Sequence, residues 1–473
     1  MPDRRDDALT TGLDRWPRTP AALRPALDLL SGLTAEGRDA FLYGCSALFA
    51  GVAAVAMGIP LYRQWGQLAF GPYLAAALLM AVVAWRSGRR RAGTGDPGGP
   101  ARHRRHRWNL ARVVAFVIVL FGATVVPLAL EVVWRSEGNA ALHVQPEVTV
   151  VEQAGVRAAH HRDPYRVVDK NGHVIIHERY EPVYELYYPY LPGMVVFGFS
   201  SGDVVSGSQV EARLTDARIQ FLVFTFVVAA LALSRLRPPS DARGRAWQVL
   251  TVLPTAALPL ATGGDDMPIA ALLLLAMVLA QRRRPGWSGF VLGIACAMKF
   301  TAWPLAALAF FCARDASGRR RPGLMALGLA VVAAPTVAPF FFRNPHDFVL
   351  NVVLFPLGLA GVPSPAASAL PGHVLVDAFP ALHRVLPVTL AVVGGAFLVR
   401  HLVRHTPSTA AEVCTLAGWV MGVAILFAPA TRVGYLLYPI NFFVWGHLLR
   451  GADEEAEGPL PLEPALQGDR LPA

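Results

Sequence analysis

The stretch VVAFVIVLFGATVVPLALEVV, residues 113–133, decides the fold. It is apolar except for Glu131, with Pro127 the other interruption. At a rise of about 1.5 Å per residue it is long enough to cross a hydrocarbon core of about 30 Å as a helix. Just before it lies a basic linker, residues 86–108, with Arg89-Arg90-Arg91 and Arg102-His103-Arg104-Arg105. Short cationic loops stay in the cytoplasm, so the span is expected to run outward. The segment it delivers to the far face is a long polar insert, from Trp134 to about Tyr190. It holds Gln145-Pro146-Glu147-Val148, Arg162-Asp163-Pro164-Tyr165 and Tyr187-Tyr188-Pro189-Tyr190. A polar, aromatic and acidic insert among membrane spans is where chemistry on a polar substrate can occur.

The composition agrees with a membrane protein. The 473 residues are 54% hydrophobic and only 16% charged, with mean hydropathy +0.42, whereas soluble domains carry about 25% charged residues. The formal net charge of +10 resides in short arginine runs between apolar stretches, and no basic domain stands outside them, so nucleic acid is not an expected partner. The four cysteines, Cys45, Cys296, Cys312 and Cys414, lie in or beside apolar segments, with no C-x-x-C and no zinc spacing. The charged, proline-rich start has no apolar core, so no cleaved signal peptide is expected.

These signals divide the chain into a cytoplasmic tail (1–38), two N-terminal spans (39–85), the basic linker (86–108), a membrane body (109–450) and a cytoplasmic tail (451–473). The body carries outer loops near 135–187 and 343–384. The expected fold is an all-α polytopic bundle of about ten transmembrane helices, with a range of nine to twelve, plus short re-entrant or interfacial helices. Tyr188–Ser200 is apolar but short, either a tilted span or a re-entrant element. A full crossing there would invert every side assignment after it. Ile219–Ser234, Gln248–Ala261 and Ile269–Ala280 follow as spans. Trp287–Cys312 has basic residues at both ends, which implies a hairpin that enters and returns; lipid tolerates this only where protein or a cavity covers the bend. Leu324–Phe342, Leu386–Val399, Val413–Ala428 and Tyr435–Leu449 complete the set.

Several residues are candidates for chemistry. Glu147, soon after the exit of the clearest span, is either a solvated loop carboxylate or a general base toward a hydroxyl. Asp163 precedes Pro164-Tyr165, a turn-forming pattern by itself. The tyrosines from Tyr180 to Tyr190, Tyr188 among them, fit an interfacial aromatic belt, with contact to a sugar face or lipid chain as the functional alternative. Asp265-Asp266 either caps a tight hairpin or binds substrate. Lys299 and Lys170 are the chain's two lysines among 43 basic residues. An ionisable side chain within an apolar stretch marks a functional position unless it snorkels to the interface. Arg432, just before Tyr435 and between the last two spans, suits a lipid-linked phosphate or a lipid headgroup. His346, Asp347, His373 and Asp377 rank lower, and their spacing makes no metal site.

Taken in order, these landmarks resemble the GT-C superfamily of integral-membrane glycosyltransferases, in particular the bacterial polyprenyl-phosphate-mannose-dependent mannosyltransferases and their uncharacterised relatives. The resemblance runs from about Leu110 to Leu449. It rests on Glu147-Val148-Thr149-Val150-Val151, Arg162-Asp163-Pro164-Tyr165, Tyr188-Pro189-Tyr190-Leu191-Pro192-Gly193, Gly293–Lys299 with Phe300-Thr301, and Arg432-Val433-Gly434-Tyr435 with Leu436-Leu437-Tyr438-Pro439.

The resemblance implies transfer of a sugar, mannose or another hexose or pentose, from a polyprenyl-phosphate donor to a cell-envelope lipid or glycan acceptor. Transfer would occur with inversion at the outer face of a bacterial-type cytoplasmic membrane. It implies Glu147 and Asp163 as catalytic residues, and Tyr165, Tyr188, Lys299, Arg432 and Tyr435 as substrate-binding ones; Asp265 and Asp266 join the substrate-binding set on their own position between two short spans. Glutamate at position 147 departs from the family's aspartate. The two spans before Arg86 and the basic linker are additions to the pattern. No cofactor is implied; some relatives in the superfamily use a divalent metal, but the sequence offers no cage for one. No nucleotide-binding fingerprint occurs, as suits a donor activated by its own phosphate. Two other readings stand beside the enzyme: a transporter or flippase of a lipid-linked saccharide, and a catalytically degenerate scaffold. The acidic residues lie in outer loops and no internal repeat is evident, which favours the enzyme over a transporter.

Overall fold

The computed structural model describes residues 33–93, 110–138, 142–165, 183–203, 209–236, 240–362 and 365–457. The expected N-terminal tail up to residue 32, most of the basic linker (94–109), the part of the first outer loop at 166–182 and the C-terminal tail after 457 lie outside them. Among the described residues there is no strand, only two isolated bridges. The chain is all-α, and seven helices are long and apolar enough to cross a membrane.

The first of these, α1 (Ala35–Ala56), starts where the Thr34 hydroxyl accepts from the Gly37 N–H at 3.1 Å, a side-chain cap for a free amide. It turns into α2 (Pro60–Gly93), and α3 (Leu110–Glu137) follows with a π-helical stretch at Leu120–Val125. The starts of α1 and α3 are tied by buried charge: Arg112 donates to Asp39 at 2.5 Å and to Asp241 at 2.6 Å, and Arg245 pairs with Asp39 at 2.6 Å. Asp241 stands in the first turn of α6 (Ser240–Thr251), so all three helices begin at one end of the bundle.

Next to α3, α5 (Ala217–Ser234) runs back toward that end. The expected single span after it is two pieces, α6 and α7 (Pro254–Thr262). Proline at position 254 has no N–H to continue α6 but fits the first turn of a new helix. The next helix, α8 (Asp266–Gln281), is short yet buried on all sides except at Leu279 and Gln281, which are partly buried. An all-round apolar helix belongs inside a bundle.

The expected hairpin is present. Its outward limb is α9 (Pro285–Met298), and its return is Phe300–Cys312, containing α10 (Trp303–Ala309). Direction follows from close packing on α11 (Pro322–Arg343). A Cβ on Gly289 would clash with the Met325 carbonyl, and one on Gly293 would lie 2.6 Å from that of Leu329. Numbers rise together on both helices, so α9 and α11 are parallel, and the chain must return between them. The Arg321 N–H donates to the Ala313 carbonyl at 2.9 Å and closes the base of the hairpin. Lys299, at the bend, has extended backbone (φ −150°, ψ 140°). The carbonyls freed there are occupied: Leu191 N–H donates to Met298 at 3.0 Å and the Trp303 indole to Cys296 at 3.1 Å. A helix can break at membrane depth when protein supplies these partners.

The remaining helices are α12 (Leu382–Arg404), α13 (Ala410–Phe427) and α14 (Leu437–Glu457). A capping box starts α13, with Thr409 and Glu412 each accepting from the other's backbone N–H. Beside the seven long helices, α6–α7, α8, the α9–α10 hairpin and α14 complete the bundle among the described residues. The arginine run after α8 marks one end: Arg282 donates to the Arg235 carbonyl, and Arg283 lies beside Gly318. Glu147, Asp265, Lys299 and Arg432 gather at the other.

The insert after α3 is more ordered than a loop. Pro146–Ala159 forms the helix α4, with Val148, Val151, Ala154 and Gly155 buried along one face. Arg135 grips Glu152 with both terminal nitrogens, at 2.9 and 2.6 Å, and reaches Asp216 at 2.8 Å. The Tyr188–Ser200 stretch becomes an extended turn, then a 3-10 helix, Pro192–Asp203. Its Gly198 backbone lies so close to Gly155 that a Cβ on either residue would collide with the other segment. It is not among the helices long enough to span, and it packs between α4 and the hairpin tip as an interfacial element.

Candidate functional site

Residue Glu147 stands in the first turn of α4, where the helix dipole favours a carboxylate. Gln145, the residue before the helix, does not cap it with its side chain, which is engaged elsewhere. Its backbone N–H donates to the Thr262 carbonyl at 3.1 Å, and its amide nitrogen donates to the Thr262 hydroxyl at 2.7 Å. Thr262 ends α7, and Gly263 follows at φ 128°, a left-handed conformation that suits glycine. A side chain there would also strike Val148. The Gly263–Asp266 connection is therefore pressed against the start of α4, which brings Asp265 and Asp266 near Glu147.

Lys299 comes up from the hairpin bend between those two carboxylates. Its ammonium lies 2.8 Å from Asp265 Oδ1 and 2.7 Å from Asp266 Oδ1. The Tyr438 hydroxyl, at the start of α14, donates to the same Asp266 oxygen at 2.6 Å. Its own acceptor site is left for the Thr301 hydroxyl, also 2.6 Å away. The lysine ammonium stands 5.1 Å from the centre of the Tyr190 ring and 5.9 Å from that of Tyr435, within cation–π reach. The Asp265 carboxyl stands raised to about 6: burial pushes it up, Lys299 pulls it part of the way back, and neighbouring Asp266 adds to the rise.

Arg432 faces Glu147 and bonds to its Oε1, while the other carboxylate oxygen is buried and accepts no hydrogen bond among the described residues. Burial opposes the arginine's charge, but Glu147 together with Tyr435, Tyr62 and Tyr190 more than offsets it, and the guanidinium is held more firmly protonated than usual. The backbone around Arg432 is fixed by the second outer loop. Thr431 N–H donates to Ala366 at 2.8 Å, and Ser368 N–H donates back to Thr431 at 2.9 Å. The short helix Pro371–Ala378 sits against the end of α13, where His373 Nδ1 lies 3.0 Å from the Pro429 carbonyl oxygen.

Glu147, Lys299, Arg432 and Tyr435 open on one cavity of about 210 Å³. Its walls include Tyr184, Tyr187 and Tyr190 from the first loop and Phe355 and Pro356 from the second. Tyr187 stacks on Phe355 with ring centres 4.4 Å apart. Burial and then Glu147 raise the Glu185 carboxyl, next to this wall, above its ordinary range.

The other candidates fall outside the lining. Asp163 accepts from the Tyr165 N–H at 3.0 Å, a turn-stabilising bond. Tyr165 is buried, and its hydroxyl donates to the Tyr190 carbonyl at 3.0 Å, so it supports a wall tyrosine from behind. The Tyr188 ring is buried beside those of Tyr165 and Tyr190. Its N–H donates to Asn351 Oδ1 at 2.8 Å, which fastens the first loop to the second. Asp265 and Asp266 hold Lys299 without lining the cavity. His346 is exposed beside Asp347, and Asp377 is exposed. Among the described residues no three His, Cys, Asp or Glu side chains gather to hold a metal ion.

Sequence reasoning passed over Tyr438, Tyr184 and Phe355 as individual site residues. Tyr438 was recoverable: it follows Tyr435 by three positions, the spacing that puts two side chains on one helical face. Phe355 carried no such signal, because its partner Tyr187 is remote in the chain.

No curated protein and no solved structure matches the chain. A family comparison does match: residues 212–429 fit the model of glycosyltransferase family 87. That stretch contains Asp265, Asp266 and Lys299, leaves out Glu147 and ends just before Arg432. Over those residues the chain is similar to glycosyltransferase family 87, and it is in kind a multi-pass membrane glycosyltransferase.

Proposed function

We propose that the protein moves a sugar from a polyprenyl-phosphate donor to a hydroxyl of a cell-envelope lipid or glycan, with inversion. The observation that carries this reading is the lining of one cavity by a carboxylate, Glu147, and two cations, Arg432 and Lys299, among aromatic walls. A lipid-phosphate donor brings its reactive carbon to interface height and carries its own leaving group. The protein then needs to supply a base, charge for the departing phosphate and orientation.

The step balances as a single displacement. Glu147 takes the proton of the acceptor hydroxyl, and the oxygen attacks the anomeric carbon from the face opposite the phosphate. The bond from that carbon to the phosphate oxygen breaks, and the phosphate leaves with the electron pair. Arg432 presents a planar fork suited to phosphate oxygens, and Lys299 adds a second charge. Asp265 and Asp266 fix the lysine, and the Tyr438–Thr301 chain fixes Asp266. In the free protein Arg432 is already bonded to Glu147, so the donor phosphate must compete for the guanidinium. Its arrival releases the carboxylate, which favours donor binding before proton abstraction. The longer side chain of glutamate, relative to aspartate, extends the carboxylate from α4 toward Arg432. By the positive-inside rule, the end opposite the arginine runs, and with it the cavity, faces away from the cytoplasm.

The test uses purified protein, sugar-labelled polyprenyl-phosphoryl mannose, glucose or arabinose, and octyl mannoside as a probe acceptor. Label in the octyl glycoside, with release of polyprenyl phosphate, is the expected result for at least one donor. Transfer from a nucleotide sugar and from none of the three lipid donors would overturn the reading.

A further inference from the structure

We propose that Tyr62, on the N-terminal helical hairpin, is a positioning residue for the base Glu147. The inference rests on the function proposed above. Tyr62 lies in the first turn of α2, immediately after the α1–α2 connection, at the same end of the bundle as the cavity. Its hydroxyl accepts from the Gln145 amide nitrogen at 3.1 Å. The second hydrogen of that nitrogen goes to the Thr262 hydroxyl at 2.7 Å.

The direction of these bonds is fixed chemically. Thr262 donates its one proton to the Leu258 carbonyl at 2.8 Å, so toward Gln145 it can only accept. The nitrogen of the amide must therefore face Thr262, and its other hydrogen then points to Tyr62. Gln145 is held from two sides, by α7 and by the N-terminal hairpin, and it sits two residues before Glu147. Pro146 between them has a fixed φ, so orientation set at Gln145 passes directly to the first turn of α4. Glu147 and Arg432 are both within electrostatic reach of the Tyr62 hydroxyl.

The family match begins at residue 212, so the hairpin lies outside it. Yet the hairpin is bound to the rest of the bundle by specific bonds along its length. Tyr73, further along α2, donates to the Val252 carbonyl at 2.5 Å, and Trp65 to that of Ala123 at 2.8 Å. Gly66 packs so closely on Ala50 and Ala53 of α1 that a Cβ would collide with their backbone. A rigid hairpin can hold Gln145 in place; a loosely docked one could not.

The experiment is steady-state transfer by the full chain with the active donor and octyl mannoside, for Tyr62→Phe, Gln145→Met and the double variant. Phenylalanine keeps the ring and removes only the hydroxyl. Losing one hydrogen bond at a positioning group should lower kcat about three- to tenfold, with the donor KM within about twofold of wild type. Gln145→Met should lower kcat at least as much, and adding Tyr62→Phe to it should cost little more, because the path through Gln145 is already cut. Unchanged kcat in Tyr62→Phe, fully multiplicative losses in the double variant, or a loss confined to donor KM would each overturn the inference. Wild-type protein inert toward every lipid donor would instead refute the proposed function, so the two failures are distinguishable.

Discussion

Replacing Lys299 by methionine removes the positive charge between two buried carboxylates while filling most of the same volume. Lys299 is 8% exposed, Asp265 2% and Asp266 7%, and the two contacts at 2.8 and 2.7 Å supply both carboxylates with their nearest cation. Removing one partner of a buried ion pair costs about 3–5 kcal/mol, because the other charge is left uncompensated. Here two like charges remain side by side, so Lys299→Met should fall at the upper end of that range. The deficit should depend on pH. Burial already raises the Asp265 carboxyl to about 6 with the lysine present, so the folded state holds this proton more tightly than the unfolded chain. The stabilisation from that proton is complete below the unfolded value of about 4 and is lost as pH rises through about 6. The variant should therefore be closest to wild type near pH 5 and furthest from it at pH 8. Thermal unfolding in detergent at the two pH values measures this. Adding Asp265→Asn should restore much of the stability at pH 8, because Asp266 keeps its bond from Tyr438, but it should not restore transfer. Equal stability of Lys299→Met and wild type at pH 8, or recovery of transfer in the double variant, would refute the reasoning.

Further outcomes follow from the same geometry. Arg432→Ala should raise the donor KM about 10- to 100-fold, the value of a charge-assisted bond or two. Arg432→Lys should recover only part of it, since lysine keeps the charge without the fork; donor titration of initial rates reads both. For topology, Cys45 is the exposed cysteine and is first replaced. In that background His346→Cys should react with an impermeant maleimide on intact cells, and Ser317→Cys only after lysis. The reverse pattern would put the cavity on the cytoplasmic side.

Much of the bundle was legible because burial in lipid is written in composition. A run such as residues 113–133 has few alternatives to a helix, and the two basic flanks of Trp287–Cys312 forced a hairpin before any contact was known. Boundaries were less legible where backbone chemistry decides them. Pro254 splits one expected span into two because of its missing N–H, and α4 was hidden in a stretch that looks like a polar loop. Its Val148, Val151 and Gly155 do carry helical spacing, but a partner was needed to show which face is buried, and that partner is the backbone of Gly198. At the site, Lys299 stood out through its rarity and its apolar setting, whereas its pairing with Asp265 and Asp266 depends on a fold that brings together residues 34 and 33 positions away. Asp163 is the opposite case. An acidic residue before Pro164-Tyr165 satisfies the turn on its own, and among the described residues its hydrogen bond is that local one. Tyr62 lay in a span outside the family pattern, with no local signal of its reach to Gln145.

The most direct test of the account is transfer by Glu147→Gln. Glutamine keeps the size of the side chain and a hydrogen-bond acceptor for Arg432, but it cannot take a proton. With equal amounts of folded protein, sugar-labelled polyprenyl-phosphate donor and octyl mannoside, the rate should fall by about 10²- to 10⁴-fold, the usual contribution of a general base. Donor binding should persist. Transfer by Glu147→Gln at the wild-type rate would contradict the claim that this carboxylate is the base and that this cavity is where the sugar moves.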